Sequence, residues 1–169
     1  ITDAFDPPAI ARDYEAGGAA ALSVLTDAGF FRGSMQDLAA ARAAVALPVL
    51  RKDFVLDEVQ VAEAAAGGAD AVLLIAAILP LVRLRELRLY AAGFGLDALV
   101  EAHDERELDL ALASGAEIVG VNNRDLRSFQ VSLETSLRLA GRIPPHIVKV
   151  SESGISTASD VRTLRQAGF

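Results

Sequence analysis

The chain has 169 residues, 52% of them hydrophobic, 23% charged and 5% aromatic, a composition that builds a folded core and excludes an intrinsically disordered segment. Lys and Arg total 16 against 23 for Asp and Glu, a net charge of -7, which argues against a nucleic-acid or anionic-membrane surface and requires any anionic ligand to meet locally gathered cations. Cysteine is absent, so disulfides, thiolate catalysis and Cys-ligated metals are excluded.

The N-terminus reads ITDAFDPP, with Asp3 and Asp6 where a secretion signal would carry a basic region and then a long apolar core, so a cytoplasmic location is expected. Six short apolar runs follow in order: Ala21–Leu25, Val49–Asp53, Ala71–Ile75, Ala98–Glu101, Ile118–Asn122 and Ile147–Val150. Each reads as a strand. Between and after them lie Ala- and Leu-rich stretches of helical character, at Met35–Val45, Asp57–Ala66, Leu81–Ala92, Asp104–Ala113, Leu133–Gly141 and Thr157–Ala167. Several of these end in Gly-Ala or Gly-Gly-Ala, a C-terminal cap leading into the next strand. The longest apolar run, Ala71 to Val82, contains Pro80 and is well short of the roughly 18 residues that span a bilayer. No membrane partner is expected.

Strand starts at 21, 49, 71, 98, 118 and 147 suit β-α units of about 25 residues in a parallel sheet, in one domain covering 1–169. Two architectures compete. A doubly wound sheet is complete with six strands, whereas a (β/α)8 barrel needs eight units and typically about 250 residues. Length favours the open sheet, but four of the six strands end in polar, ionisable or amide groups, and barrels draw reactive side chains from the C-terminal ends of several strands. The expected fold is an α/β (β/α)8 TIM barrel, incomplete here.

Four strand ends carry the candidate chemistry. In Leu50-Arg51-Lys52-Asp53-Phe54, alternation places Leu50, Lys52 and Phe54 on one face, where Lys52 must pair, snorkel or work; a salt bridge with Asp53 is the bland alternative. In Leu99-Val100-Glu101-Ala102-His103, Glu101 shares a face with Leu99 and His103, a costly place for a carboxylate unless it is paired, and Lys52 is the expected partner. Neither His103 nor His146 has metal-ligand spacing, so no metal is expected. In Gly120-Val121-Asn122-Asn123-Arg124, Asn122 and Arg124 are the candidates for meeting a carboxylate, while Asn123 suits local turn chemistry. In Ser151-Glu152-Ser153-Gly154-Ile155-Ser156, N–H groups after the glycine, beside a helix capped at Thr157–Asp160, offer either an anion site or an ordinary strand-to-helix turn. The G-x-G-x-x-A match at Gly93–Ala98 precedes a strand instead of following one, so it is a helix-to-strand turn and not a nucleotide site.

Taken together, LTDAGFFRGS (Leu25 to Ser34), PVLRKDF (Pro48 to Phe54), ADAVLLIAAIL (Ala69 to Leu79), LVEAH (Leu99 to His103), GVNNRDL (Gly120 to Leu126) and VKVSESGIS (Val148 to Ser156) resemble the indole-3-glycerol phosphate synthases, (β/α)8-barrel lyases of tryptophan biosynthesis. The resemblance covers essentially the whole chain. It implies closure of an indole ring from 1-(2-carboxyphenylamino)-1-deoxyribulose 5-phosphate, a phosphorylated small-molecule substrate, with loss of CO2 and water and without a cofactor. It makes Lys52 the general acid and gives Glu101 the later proton transfers and dehydration. Asn122 and Arg124 match positions near the anthranilate part, Glu152 and Ser153 the site wall, and Gly154 the phosphate end. Phe31 and Phe54 look like apolar walls for the aromatic ring.

The resemblance also places a first strand, with a glutamate, a lysine and a Ser-Pro-Ser type motif, before Ile1, and a last strand with a glycine-rich phosphate loop after Phe169. The 169-residue chain alone is therefore expected to lack lyase activity and to present unpaired strand edges near Ala21 and Ile147. Two other readings compete with the lyase: a related pathway isomerase, disfavoured because its acid-base pair includes a cysteine, and a non-catalytic phosphate-binding barrel. Fusion to, or contact with, other tryptophan-pathway enzymes is left open.

Overall fold

The computed structural model describes residues 5–126 and 128–169. Six strands alternate with helices along them: α1 (Pro7–Ala16), β1 (Leu22–Leu25), α2 (Met35–Ala44), β2 (Val49–Lys52), α3 (Glu58–Ala66), β3 (Ala71–Ile75), α4 (Leu81–Gly93), β4 (Asp97–Ala102), α5 (Glu105–Ala113), β5 (Ile118–Asn122), α6 (Glu134–Ala140), β6 (Val148–Glu152) and α7 (Ala158–Gln166). The sheet runs in the order β1-β2-β3-β4-β5-β6. That order decides between the two architectures, because a doubly wound sheet reverses at a switch point and a barrel does not. Every strand and helix expected from the sequence is present, with ends moved by one or two residues.

Helix α1 is the exception. It was not among the expected elements; proline at a helix start donates no N–H that the helix would use and its φ is already helical, so Pro7-Pro8 opens it. Asp6 caps it, its Oδ1 accepting from Ala9 N at 3.1 Å, a contribution of about 1 kcal/mol.

The chain divides into two compact units, one formed by Ile1–Leu73 with Leu89–Asp97 and the other by Leu74–Arg88 with Ala98–Phe169. In the first, β1 pairs parallel with β2, and Leu25 lies opposite Lys52; β2 pairs parallel with β3. One face of β2 is buried through Val49 and Arg51, while Leu50 and Lys52 on the other face are half-buried. Leu38 and Ala41 of α2 and Val61 and Ala64 of α3 supply buried apolar residues.

In the second unit, β4 pairs parallel with β5 so that Glu101 lies opposite Gly120, and β5 pairs parallel with β6 so that Asn122 lies opposite Glu152. Leu84, Leu87, Val100, Leu108, Val119 and Leu139 are fully buried, each worth about 1.5 to 3 kcal/mol on transfer from water. Strand β5 buries four of its five residues and β6 none, as the terminal position of β6 in the sheet order dictates. Among the described residues, no helix is long and apolar enough to cross a membrane.

Candidate functional site

The first unit contributes a cation and an aromatic cluster at the C-terminal end of β2. Lys52 is half-buried on the face it shares with Leu50. Its expected alternative partner, Asp53, belongs to Arg51: the Arg51 Nη2 donates to Asp53 Oδ2 at 2.9 Å, and Arg51 Nε donates to Thr26 Oγ1 at 3.1 Å. The Arg51 guanidinium, 4% exposed, also reaches the Gln60 carbonyl and Glu63. The Lys52–Asp53 bridge is thus replaced by an Arg51–Asp53 bridge on the opposite face. A planar guanidinium can serve several acceptors at once, which an ammonium on a single stem does less well.

Asp53 does a second job there. Its Oδ1 accepts from Phe54 N at 2.8 Å, and Gln60 Nε2 donates to the Phe54 carbonyl at 2.9 Å, so the backbone of Phe54 is held from both sides. The Phe54 ring stacks on Phe31 with centroids 6.0 Å apart and meets the edge of Phe30 at 5.8 Å. Asp27 folds the turn that carries both partners, its Oδ1 accepting from Phe30 N at 2.6 Å and from Phe31 N at 3.3 Å. Asp27, Arg51, Asp53 and Phe30 were not singled out as site residues from the sequence, and the signal for two of them, Arg51 and Asp53, was a polar residue beside Lys52.

The second unit gathers acids and amides at the ends of β4, β5 and β6. Glu101 is 2% exposed. On its own strand face, His103 brings Nε2 to 3.3 Å from Glu101 Oε1, while His103 Nδ1 lies 2.8 Å from Glu107 Oε2. Burial alone would lower the His103 pKa; the two carboxylates outweigh it and raise it from 6.5 to about 9. The ring is therefore an imidazolium at neutral pH.

A raised histidine pKa stabilises the fold fully below the unfolded value near 6.5 and ceases to do so as the pH climbs through about 9. Urea denaturation is expected to show His103 stabilisation on the order of 2 to 3 kcal/mol disappearing between those limits. In His103→Gln that part of the pH dependence should vanish. An equal pH dependence in the variant would show that the two carboxylates do not hold the proton on this ring.

Next to Glu101, position 120 has no side chain, and the Glu152 carboxylate uses the room: a Cβ on Gly120 would fall on Glu152 Oε1. Glu101 and Glu152 thus approach the same stretch of β5 from its two neighbouring strands.

The two asparagines at the end of β5 are held differently, and it is Asn123 that departs from the local turn chemistry expected of it. Asn122, buried, makes the local turn bond, its Oδ1 accepting from Arg124 N at 3.0 Å. Asn123 instead reaches to β6 and α6: its Nδ2 donates to Ser151 Oγ at 3.0 Å and to the carbonyls of Glu152 and Ser153 at 2.9 and 3.1 Å, and its Oδ1 accepts from Ser136 N at 3.0 Å. Asn123 is 2% exposed, and burial of an amide demands this degree of satisfaction. Its bonds fix the turn in which Ser153 and Gly154 both take positive φ, 66° and 78°. Arg124 is exposed, with Nη1 3.4 Å from the Phe129 carbonyl.

At the β6–α7 turn, the Asp160 carboxylate accepts from Ser156 N at 3.0 Å and from Thr157 N at 2.8 Å. These backbone bonds hold the Asp160 pKa below the ordinary carboxylate value. At Ser156 and Thr157 the ordinary turn is therefore what forms, and their N–H groups are already bonded to a protein anion. Gly154 is exposed, and a Cβ there would strike Val131. Lys52, Phe31 and Phe54 thus belong to the first unit, and Glu101, Asn122, Arg124, Glu152, Ser153 and Gly154 to the second.

Comparison with known proteins identifies the family of the chain. A family model described as indole-3-glycerol phosphate synthase matches residues 1–169. An indole-3-glycerol phosphate synthase of Desulfotalea psychrophila is 54% identical over 99% of the chain, which covers 65% of that protein. One from Chlorobium phaeovibrioides is 53% identical over the whole chain, which covers 66% of it, and indole-3-glycerol phosphate synthase 2 of Streptomyces coelicolor is 53% identical over 99% of the chain, which covers 65% of it. The chain spans about 65% of the length of these curated relatives. Among solved structures, a thiamine phosphate pyrophosphorylase from Pyrococcus furiosus superposes with a TM-score of 0.71 over 95% of this chain and 75% of its own, at 19% identity. That likeness concerns the fold alone and agrees with a partial (β/α)8 barrel. With the family pattern running from the first residue to the last, the chain belongs to the indole-3-glycerol phosphate synthase family.

Proposed function

We propose that the protein carrying this chain is an indole-3-glycerol phosphate synthase, a carbon-carbon lyase that closes the indole ring of 1-(2-carboxyphenylamino)-1-deoxyribulose 5-phosphate with loss of CO2 and water. The observation that carries the proposal is the match of all 169 residues to this one family. In this reading residues 1–169 are one domain, a partial barrel, and the reaction takes place in the cytoplasm. Lys52 protonates the ketone oxygen as the ring carbon attacks. Glu101 serves the later proton transfers that end in loss of water. A carboxylate at a buried position is a group suited to proton transfer.

Binding follows the chemistry of the substrate. The stacked Phe31 and Phe54 offer a flat apolar wall to its aromatic ring, and Asn122 and Arg124 meet the carboxylate of that ring. Glu152 and Ser153 line the wall, and Gly154 stands at the phosphate end. Supporting this is the local chemistry: a chain of net charge -7 that meets a substrate carrying a carboxylate and a phosphate needs Lys, Arg and backbone donors at strand ends.

The test is turnover. The polypeptide carrying this chain at the full length of its relatives should convert the carboxyphenylamino substrate, with the rise of indole glycerol phosphate fluorescence as the signal. A folded protein that binds the substrate without converting it would establish instead a phosphate-binding barrel without chemistry.

A further inference from the structure

A carboxylate that does acid-base work must be held in one orientation, and in the second unit a group that contacts Glu101 comes from a residue without an assigned role. His103 stands two residues on, where β4 has just ended, so its side chain returns to the same face as Glu101. Its Nε2 is 3.3 Å from Glu101 Oε1, an ion-pair contact and not an aligned hydrogen bond.

The other end of the ring is tied to helix α5. Asp104 caps that helix, its Oδ1 accepting from Glu107 N at 2.8 Å. In the usual capping box the third helical residue reaches back to the N–H of the cap. Here Glu107 reaches one residue further: its Oε2 accepts from His103 N at 2.8 Å and lies 2.8 Å from His103 Nδ1. One carboxylate thus grips both the backbone and the ring of His103.

Ionised carboxylates only accept, so Nδ1 carries the proton it gives to Glu107, and a second proton on Nε2 sets the cation against Glu101. The side chains of Glu101, His103 and Glu107 are 3%, 11% and 18% exposed, a gradient from the interior to the helix start. The first turn of α5 favours the negative charge of Glu107, and Glu107 in turn favours the cation beside Glu101.

We propose that His103 is a positioning residue for Glu101: clamped by Glu107 at the start of α5, its ring fixes the Glu101 carboxylate in the orientation that the reaction uses. The inference rests on the lyase reading above for its functional half and on the Glu101–His103–Glu107 geometry for its structural half. Loss of the clamp lets the Glu101 side chain move without removing it, so turnover falls while substrate binding by other residues persists.

The experiment uses the full-length polypeptide carrying this chain, with His103→Leu, Glu107→Gln and the double variant. His103→Leu should lower kcat by about ten- to a hundredfold with KM changed by less than about threefold, the signature of a group that acts after binding. Glu107→Gln, which keeps the shape at an accessible helix start, should lower kcat by a smaller factor, and its effect should disappear when His103 is already leucine. With 15N-labelled histidine, the parent at pH 7.5 should show both His103 ring nitrogens protonated. A neutral His103 ring overturns the inference whether or not turnover is seen. So does a parental kcat in both single variants, of which Glu107→Gln is the one least able to disturb folding. A parent without turnover but with a doubly protonated His103 ring overturns the lyase reading and supports the clamp.

Discussion

Lys52→Met in the full-length polypeptide should lower kcat by at least about a hundredfold, the usual scale for losing a positioned general acid. Methionine keeps the unbranched stem and its packing beside Leu50 while removing every proton the side chain could give. Substrate affinity should change less, because the aromatic wall and the amides remain. The geometry of β2 sharpens the expectation. Two cations stand side by side, and Arg51 is committed to Asp53, Thr26 and the α3 backbone on the helix-facing side. Arg51 therefore cannot substitute for the lost ammonium without dismantling that side of the strand. Steady-state kinetics with circular dichroism checks this, and a kcat within a few-fold of the parent would remove Lys52 from the mechanism.

Glu101→Gln should also abolish most turnover, by about a hundredfold or more, with the fold retained. Glutamine occupies the same volume at this fully buried position and still offers a carbonyl oxygen to His103, so the imidazolium keeps an acceptor on each side. Deleting one partner of a buried ion pair outright costs about 3 to 5 kcal/mol; the amide should cost clearly less. Thermal denaturation and kinetics on the same sample separate the outcomes. If the variant melts far below the parent while its folded fraction turns over normally, Glu101 is a structural ion-pair partner of His103 and the acid-base role lies elsewhere.

The architecture was legible because β-α alternation writes itself into the chain twice, as apolar runs of strand length and as the glycines that close most of the helices. Gly68 and Gly115, both at positive φ, show how directly those closures could be read. Helix α1 escaped because the N-terminal segment was read only against a secretion signal, and the sign that it starts a helix, Asp6, acts through a hydrogen bond three residues on. For the site, strand parity gave the facing of Lys52 and Glu101. It could not give the division of labour between Asn122 and Asn123, since that depends on which amide the turn after β5 aims at β6. The pairing of Arg51 with Asp53 had the same origin: alternation separated Arg51 from Lys52 but did not say which of the two Asp53 would meet. His103 was placed on the face of Glu101 and weighed only as a metal ligand, which was set aside; its part in holding Glu101 was missed because its partner Glu107 lies across a strand-helix junction. The trace was present nonetheless, in the order His103-Asp104-Glu105-Arg106-Glu107, where a cap residue is followed by an acid at the third helical position.

Gly120 gives the barrel wall a property that single-strand thinking misses. Glycine in a strand is ordinarily a weak point, but here the missing side chain of β5 is the berth for a carboxylate that belongs to β6. Positions 120 and 152 therefore form one steric unit shared by two strands: a methyl group on β5 would push the end of an acid on β6 out of its present place. Recombination between related barrels has to respect that unit. A crossover placed anywhere from the end of β5 to the start of β6 joins halves whose volumes were set independently, whereas an exchange that carries both strands together transplants the glycine with the acid it houses.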